Sequence, residues 1–184
     1  RTPMKTKQTI FLLLLAASLA VTSCRSRTDR SEGTVLLSVS DFDGLPFSVS
    51  LSQQEPPFTI EEIEVRNVAK DPSGTTSDLQ DVELRRYEVR YRRRDTGTRV
   101  PPPTVQGIFG IVPVNGSTDL GNVPFLFSDQ VLSQPLKDLV DFGRDTETGT
   151  AVIVLDVSIR FFGRTLSGDD VVSDPATFTI EVRP

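Results

Sequence analysis

Between residues 151 and 162 the chain sets Ile153, Leu155, Val157, Ile159 and Phe161 at every second position. A period of two puts these side chains on one face of an extended strand. Val152 and Val154 make the first half apolar on both faces, which suits a central strand covered on either side. A helix cannot gather such a pattern onto one stripe, so this segment commits the chain to a β-sheet.

The same period recurs along most of the chain. Val35, Leu37 and Val39 alternate, as do Leu45, Phe47, Val49 and Leu51, and Asp41-Phe42-Asp43-Gly44 supplies a turn between the two runs. Pro46 and the neighbouring serines mark the second run as an edge strand, because proline cannot donate to a ladder. Phe58 and Ile60 share one parity, while Ile63 and Val65 share the other. The change at Glu61-Glu62 predicts a β-bulge. Val82 and Leu84, followed by Tyr87, Val89 and Tyr91, repeat the slip at Arg85-Arg86. A polar loop over residues 71–77 joins these two strands.

Asp95-Thr96-Gly97 reads as a hairpin-type turn, and Pro101-Pro102-Pro103 as an extended segment without backbone donors. Residues 105–114 form the next apolar stretch, with Gly107 and Gly110 inside it, before a turn at Asn115-Gly116-Ser117. Val123, Phe125 and Phe127 share a face, and Pro124 places that strand at an edge. Leu136, Leu139 and Val140 stand at helical spacing, which predicts one short helical turn within residues 133–142. Phe178, Ile180 and Val182 close the chain as a last strand. About eight strands with at most one short helix predict an all-β fold, an antiparallel β-sandwich with a barrel as the alternative.

The N-terminal residues carry an address. Met4, Lys5 and Lys7 form a positive start, residues 10–19 are almost wholly apolar, and small residues follow. Arg1-Thr2-Pro3 read as an upstream extension before a start at Met4. This order is that of a secretory signal peptide, and the apolar run is about half of the roughly 20 residues that a membrane span needs. It ends on Val21-Thr22-Ser23-Cys24, which contains the only cysteine of the chain. These four residues resemble the lipobox of bacterial lipoproteins. The resemblance implies cleavage before Cys24 and acylation of that cysteine, an ordinary cleaved signal being the alternative. It divides the chain into a signal at 1–23, a lipidated cysteine and tether at 24–33, and a domain at 34–184.

The tether RSRTDRSEG has no apolar residue and reaches about 30 Å when extended. Its Arg25, Arg27 and Arg30 sit where basic residues favour an anionic lipid surface. Arginine rather than aspartate after the cysteine implies, by analogy with enteric lipoproteins, the outer membrane, facing the periplasm or the surface.

Composition excludes several functions. Losing Arg1, Lys5 and Lys7 with the signal deepens the net charge from −5 to −8. An acidic chain lacks the clustered positive charge that general nucleic-acid binding needs, so no nucleic-acid partner is expected. The chain has no histidine. That removes Ser-His-Asp and Cys-His catalysis and the usual zinc and copper sites. No cofactor and no metal are expected. Tryptophan is absent too, which leaves Tyr87, Tyr91 and the phenylalanines as sugar-stacking candidates.

Tyr87-Glu88-Val89-Arg90-Tyr91, followed by a basic hairpin, resembles the middle strands of fibronectin type III and related immunoglobulin-like modules. The resemblance covers about ten residues and implies an immunoglobulin-like sandwich, although the core tryptophan and cysteines of antibody domains are missing.

The densest charge cluster runs from Arg85 to Arg94. On a strand Arg90, Arg92 and Arg94 project to one face with Glu88, and Tyr87, Val89 and Tyr91 to the other. The three arginines are candidates for binding an acidic polysaccharide or an envelope protein. The plainer reading pairs them across strands with carboxylates such as Glu61, Glu62 and Glu64, at about 0.2–1 kcal/mol per pair. Asp41, Asp43 and Gly44 look like the start of a calcium loop but lack its later ligands. With Asp169-Asp170, they read as turn formers. No catalytic residue stands out. The expected function is a membrane-anchored envelope lipoprotein with a non-catalytic binding or structural module. A surface carbohydrate-binding or carbohydrate-degrading accessory protein is the alternative.

Overall fold

The alternating pattern is realised as nine strands in the computed structural model, which describes residues 33–184. The signal at 1–23, Cys24 and tether residues 25–32 lie outside the described residues. Strand β1 covers Val35–Asp43, β2 Ser48–Ser50, β3 Phe58–Ala69, β4 Val82–Arg93 and β5 Thr104–Val112. Strand β6 covers Gly116–Leu126, β7 Ile153–Thr165, β8 Asp170–Val172 and β9 Ala176–Arg183. Two short helices, α1 (Ser128–Val131) and α2 (Leu136–Phe142), lie between β6 and β7.

Strands β1-β3-β6 form one sheet and β2-β9-β7-β4-β5 the other, with β8 also paired to β7. Neighbours are antiparallel apart from β2, which runs parallel to β9. The unbroken alternating run at residues 151–162 is β7, a central strand whose Ile153, Leu155, Val157, Ile159 and Phe161 are all 0% exposed. They join Ile60, Ile63, Val65, Val123 and Phe125 of the smaller sheet in one apolar cluster. Burying each such side chain contributes about 1.5–3 kcal/mol.

The two layers are also stitched by aromatics. Phe178 of β9 packs edge-on to Phe125 of β6 at 5.5 Å and against Phe42 of β1 at 5.6 Å. The Tyr87 hydroxyl donates to the Pro124 carbonyl across the core at 2.8 Å. The molecule is an all-β sandwich. Among the described residues no helix is long and apolar enough to cross a membrane.

Several expectations hold in detail. The slip at Arg85-Arg86 is a bulge, since Leu84 faces Gly163 and Arg86 faces Phe162, leaving Arg85 extra. Pro124 lies on an edge strand, as does β2. At Glu61-Glu62 the inward face of β3 changes as predicted, with both glutamates exposed. The β-bulge expected there does not form against β6, because the register is two against two, Ile60 facing Val123 and Glu62 facing Gly121. Strand β6 changes phase at the same place, at Gly121 and Asn122, where Asn122 takes φ 53°.

Other expectations need correction. The turn expected at Asp41–Gly44 starts later, because a register slip at Ser40 lets β1 run on to Asp43. Gly44 then turns the chain with φ 62°. Only Ser48–Ser50 of the second alternating run is a strand, and Leu45 and Phe47 stay exposed because pairing with β9 lasts three residues. Asp95–Gly97 is not a tight hairpin; residues 94–103 make the whole connection from β4 to β5. Two helices replace the single turn expected. Leu136 and Leu139 bury one side of α2, which ends at Gly143 with φ 68°. One turn as short as α1 leaves no periodicity to read.

Candidate functional site

The outer face of the larger sheet collects the residues that the sequence singles out. Strand β4 alternates, so Tyr87, Val89 and Tyr91 turn into the core and Glu88, Arg90 and Arg92 turn outward. Arg94, just past the strand end, joins them on the outside. Each of the three arginines has a carboxylate partner on its own sheet. Arg90 Nη2 donates to Glu88 Oε1 at 2.8 Å, and Arg92 Nη2 to Asp156 Oδ2 at 2.8 Å. Arg94 Nη1 lies 3.8 Å from Asp156 Oδ1 and donates to Thr179 Oγ1 at 3.0 Å. Glu61, Glu62 and Glu64, named above as partners, sit on β3 in the other sheet and pair with none of these arginines.

Arg92 and Thr179 hold the Asp156 carboxyl below its ordinary value through their hydrogen bonds, against a smaller opposing effect of burial. The arginines remain largely in solvent, Arg92 with 82% of its side chain exposed. Ion pairs that open to water contribute about 0–1 kcal/mol each. They border a shallow depression of about 510 Å³ lined by Arg90, Tyr91, Arg92, Asp156, Ser158 and Thr177. The face offers guanidinium groups and hydroxyls with an acidic counterweight, which suits contact with a polar polymer or protein more than tight capture of one anion.

The two tyrosines do not form a stacking platform. Tyr91 is 9% exposed and donates to Phe125 O and Gln130 Oε1; Tyr87 is 2% exposed. Burial pushes the Tyr87 hydroxyl up to about 12 and raises that of Tyr91 as well.

The outer face of the smaller sheet is acidic. Asp41, Glu64 and Asp119 stand directly opposite one another across β1, β3 and β6, and Asp43 faces Glu62 beside them. With Phe42 they line a depression of about 410 Å³. Hydrogen bonds from Ser117 and Ser40 hold Glu64 below the usual carboxylate range, the opposite of what a general acid needs. Asp43 accepts the Gly44 N–H at 2.8 Å and braces the turn, while Asp41 accepts the Phe42 N–H at 2.8 Å within β1. Asp169 accepts from Ser167 in the β7–β8 turn. Among the described residues no three acidic side chains converge as a metal-holding group.

One feature of the larger sheet escaped the sequence reading. Strand β5 is its edge: among the described residues it is laddered to β4 on one side and to no strand on the other, where the Thr118 hydroxyl of β6 reaches its backbone, donating to the Ile111 carbonyl at 2.7 Å. Val105, Phe109 and Ile111 point outward from it, and Phe109 is 74% exposed. Next to this strip the Arg86 guanidinium lies over the Phe162 ring at 5.0 Å. A signal for this surface was present in the sequence. Residues 100–118 carry no charge in a chain that is 24% charged. An apolar strand read alone is assigned to the core by default, and nothing local says that its second face stays uncovered. Cys24, the candidate lipid attachment point, lies outside the described residues.

Comparison with protein-family models, with curated proteins and with solved structures finds no match to the chain.

Proposed function

We propose that this protein is an envelope lipoprotein, anchored through acylated Cys24 to the outer membrane, whose β-sandwich is a non-catalytic binding or structural module. The anchor rests on the signal that ends in Val21-Thr22-Ser23-Cys24. Three acyl-proximal arginines in a short polar tether agree with it. The observation that carries the binding reading is the free edge of β5, with Val105, Phe109 and Ile111 exposed beside it. An unpaired strand edge offers backbone donors and acceptors to an incoming strand, and flanking apolar side chains add area. The outward arginines Arg90, Arg92 and Arg94 border the same face and supply polar contacts for an envelope protein or an acidic polysaccharide.

The strand order supports the immunoglobulin-like type. Strands β1, β3 and β6 correspond to A, B and E of that fold, and β9, β7, β4 and β5 to G, F, C and C′. The parallel β2 lies beyond the G-equivalent strand.

The anchor is tested by replacing its one nucleophile. Cys24→Ala in the full chain moves the protein from the membrane to the soluble or uncleaved fraction and abolishes labelling by a fatty-acid analogue. Unchanged fractionation with unchanged labelling refutes the lipoprotein reading.

A further inference from the structure

We infer that the free edge of β5 docks a second copy of this chain, the two β5 strands pairing antiparallel about a two-fold axis at Gly107. The inference rests on the binding-module reading and names the occupant of the same edge. It starts from what the edge lacks. Exposed edge strands are ordinarily blunted by charge, by proline or by shortness. Strand β5 has nine residues, none of them charged, and its prolines at 101–103 and 113 flank the strand without interrupting it. Opposite Arg85 the β4–β5 ladder is irregular, Ile108 and Phe109 together facing that one residue, yet exposure along β5 still alternates from Val105 through Gly107 and Phe109 to Ile111.

Charge points to the same occupant. The chain carries a net charge of −5 before processing, so two copies repel wherever their acidic surfaces meet. The uncharged run over residues 100–118 is a long strip where they approach without placing like charges opposite one another.

Shape provides the second argument. A Cβ added at Gly107 meets nothing within 4 Å, so the outer face of β5 has an open gap between Val105 and Phe109. Antiparallel pairing centred on Gly107 sets Val105 of one copy opposite Phe109 of the other. Each Phe109 ring then lies diagonally over the partner copy's glycine gap, the arrangement in which an aromatic side chain covers a strand glycine. A facing strand needs an aromatic residue two positions from a glycine to make this fit, and β5 itself has that spacing. Isologous two-fold contacts of this kind are the commonest way in which identical chains associate.

The test uses the full chain in its own membranes. Cys24 is the sole cysteine, so Gly107→Cys introduces a thiol at the axis, and Ser158→Cys on β7 of the same face is the control. Under mild oxidation Gly107→Cys gives about tenfold more reducible dimer than Ser158→Cys, because only axis residues bring their Cβ atoms within disulfide reach. Adding Phe109→Lys lowers the yield to that of the control. Sedimentation of the detergent-solubilised protein gives an independent reading, a dimer for wild type and a monomer for Phe109→Lys, whose side chain leaves the core untouched. Equal cross-linking at the two sites, or a wild-type chain that sediments as a monomer throughout, overturns the inference. A Gly107→Cys thiol linked to a different protein also overturns it while leaving the binding edge in place. A thiol that stays unlinked and fully reactive in membranes removes both readings.

Discussion

Arg93 lies within a run of exposed arginines and is itself buried, with 3% of its side chain in contact with solvent. Its Nε and Nη2 donate to Asp95 at 2.6 and 2.8 Å, and Nη2 also reaches Asp145 at 2.9 Å. Arg99 stands at the rim, 3.8 Å from Asp145 and 3.5 Å from Glu147. The knot fastens residues 94–103 to residues 143–152 at one end of the sandwich. Gly97 belongs to it, because a Cβ there would collide with the Arg93 guanidinium. Parity alone turns Arg93 inward with Tyr91, but its partners lie two and 52 positions away, and the distant one is invisible in a local pattern. Removing one member of a buried pair leaves the other charge poorly compensated. Asp145→Asn is therefore expected to cost about 2–3 kcal/mol in urea unfolding. Arg92→Ala, which breaks an exposed pair with Asp156, costs less than about 1 kcal/mol. Equal losses for the two variants would contradict this assignment.

At the scale of elements, legibility follows how completely a strand is paired. Strand β7 was readable because both its flanks carry strands and its inner face is wholly buried, so its sequence satisfies one environment throughout. Strand β2 is shorter than its alternating run, because such a run does not say how long a partner continues beside it. The bulge at Arg85 was readable as a parity change, and its consequence across the sheet was not. Opposite it Gly163 of β7 passes so close to β4 that an added Cβ would lie 2.6 Å from Val82 Cγ1 and 2.8 Å from the Glu83 carbonyl oxygen. Backbone cannot yield there as a flexible side chain would. Gly163→Ala is expected to lower stability by about 1–3 kcal/mol through overpacking, read as a fall in melting temperature. Gly107→Ala, in open space on β5, leaves it unchanged or slightly raised. A Gly163→Ala protein that melts with wild type would show that β4 and β7 adjust freely.

For the whole molecule, folding sorts charge between two faces, with carboxylates gathered on the smaller sheet and guanidinium groups on the larger. It also sets the response to acid. Burial works to raise the Asp145 carboxyl, but hydrogen bonds from Thr148, Arg93 and the Glu147 N–H outweigh it and hold the group at about 2. Thr98 and Arg99 hold Glu147 at about 2 as well. Their unfolded values are higher, near 3.8 and 4.5. The stabilisation they carry is thus complete above the unfolded values and is lost as pH falls through about 2. Unfolding free energy should decline steadily as pH falls from about 4.5 to 2. The double variant Asp145→Asn, Glu147→Gln should start lower and decline less steeply, and parallel curves would exclude these two groups as the source. The sequence alone determined the all-β class, the inward residues of β3, β4 and β7, and the outward direction of Arg90, Arg92 and Arg94, since a period of two is local information. Only the tertiary structure decided which strand ends on a bare edge, which arginine is buried and which carboxylates it meets. Those depend on pairings between residues far apart in the chain, and an alternating strand carries the same pattern whether its neighbour is present or missing.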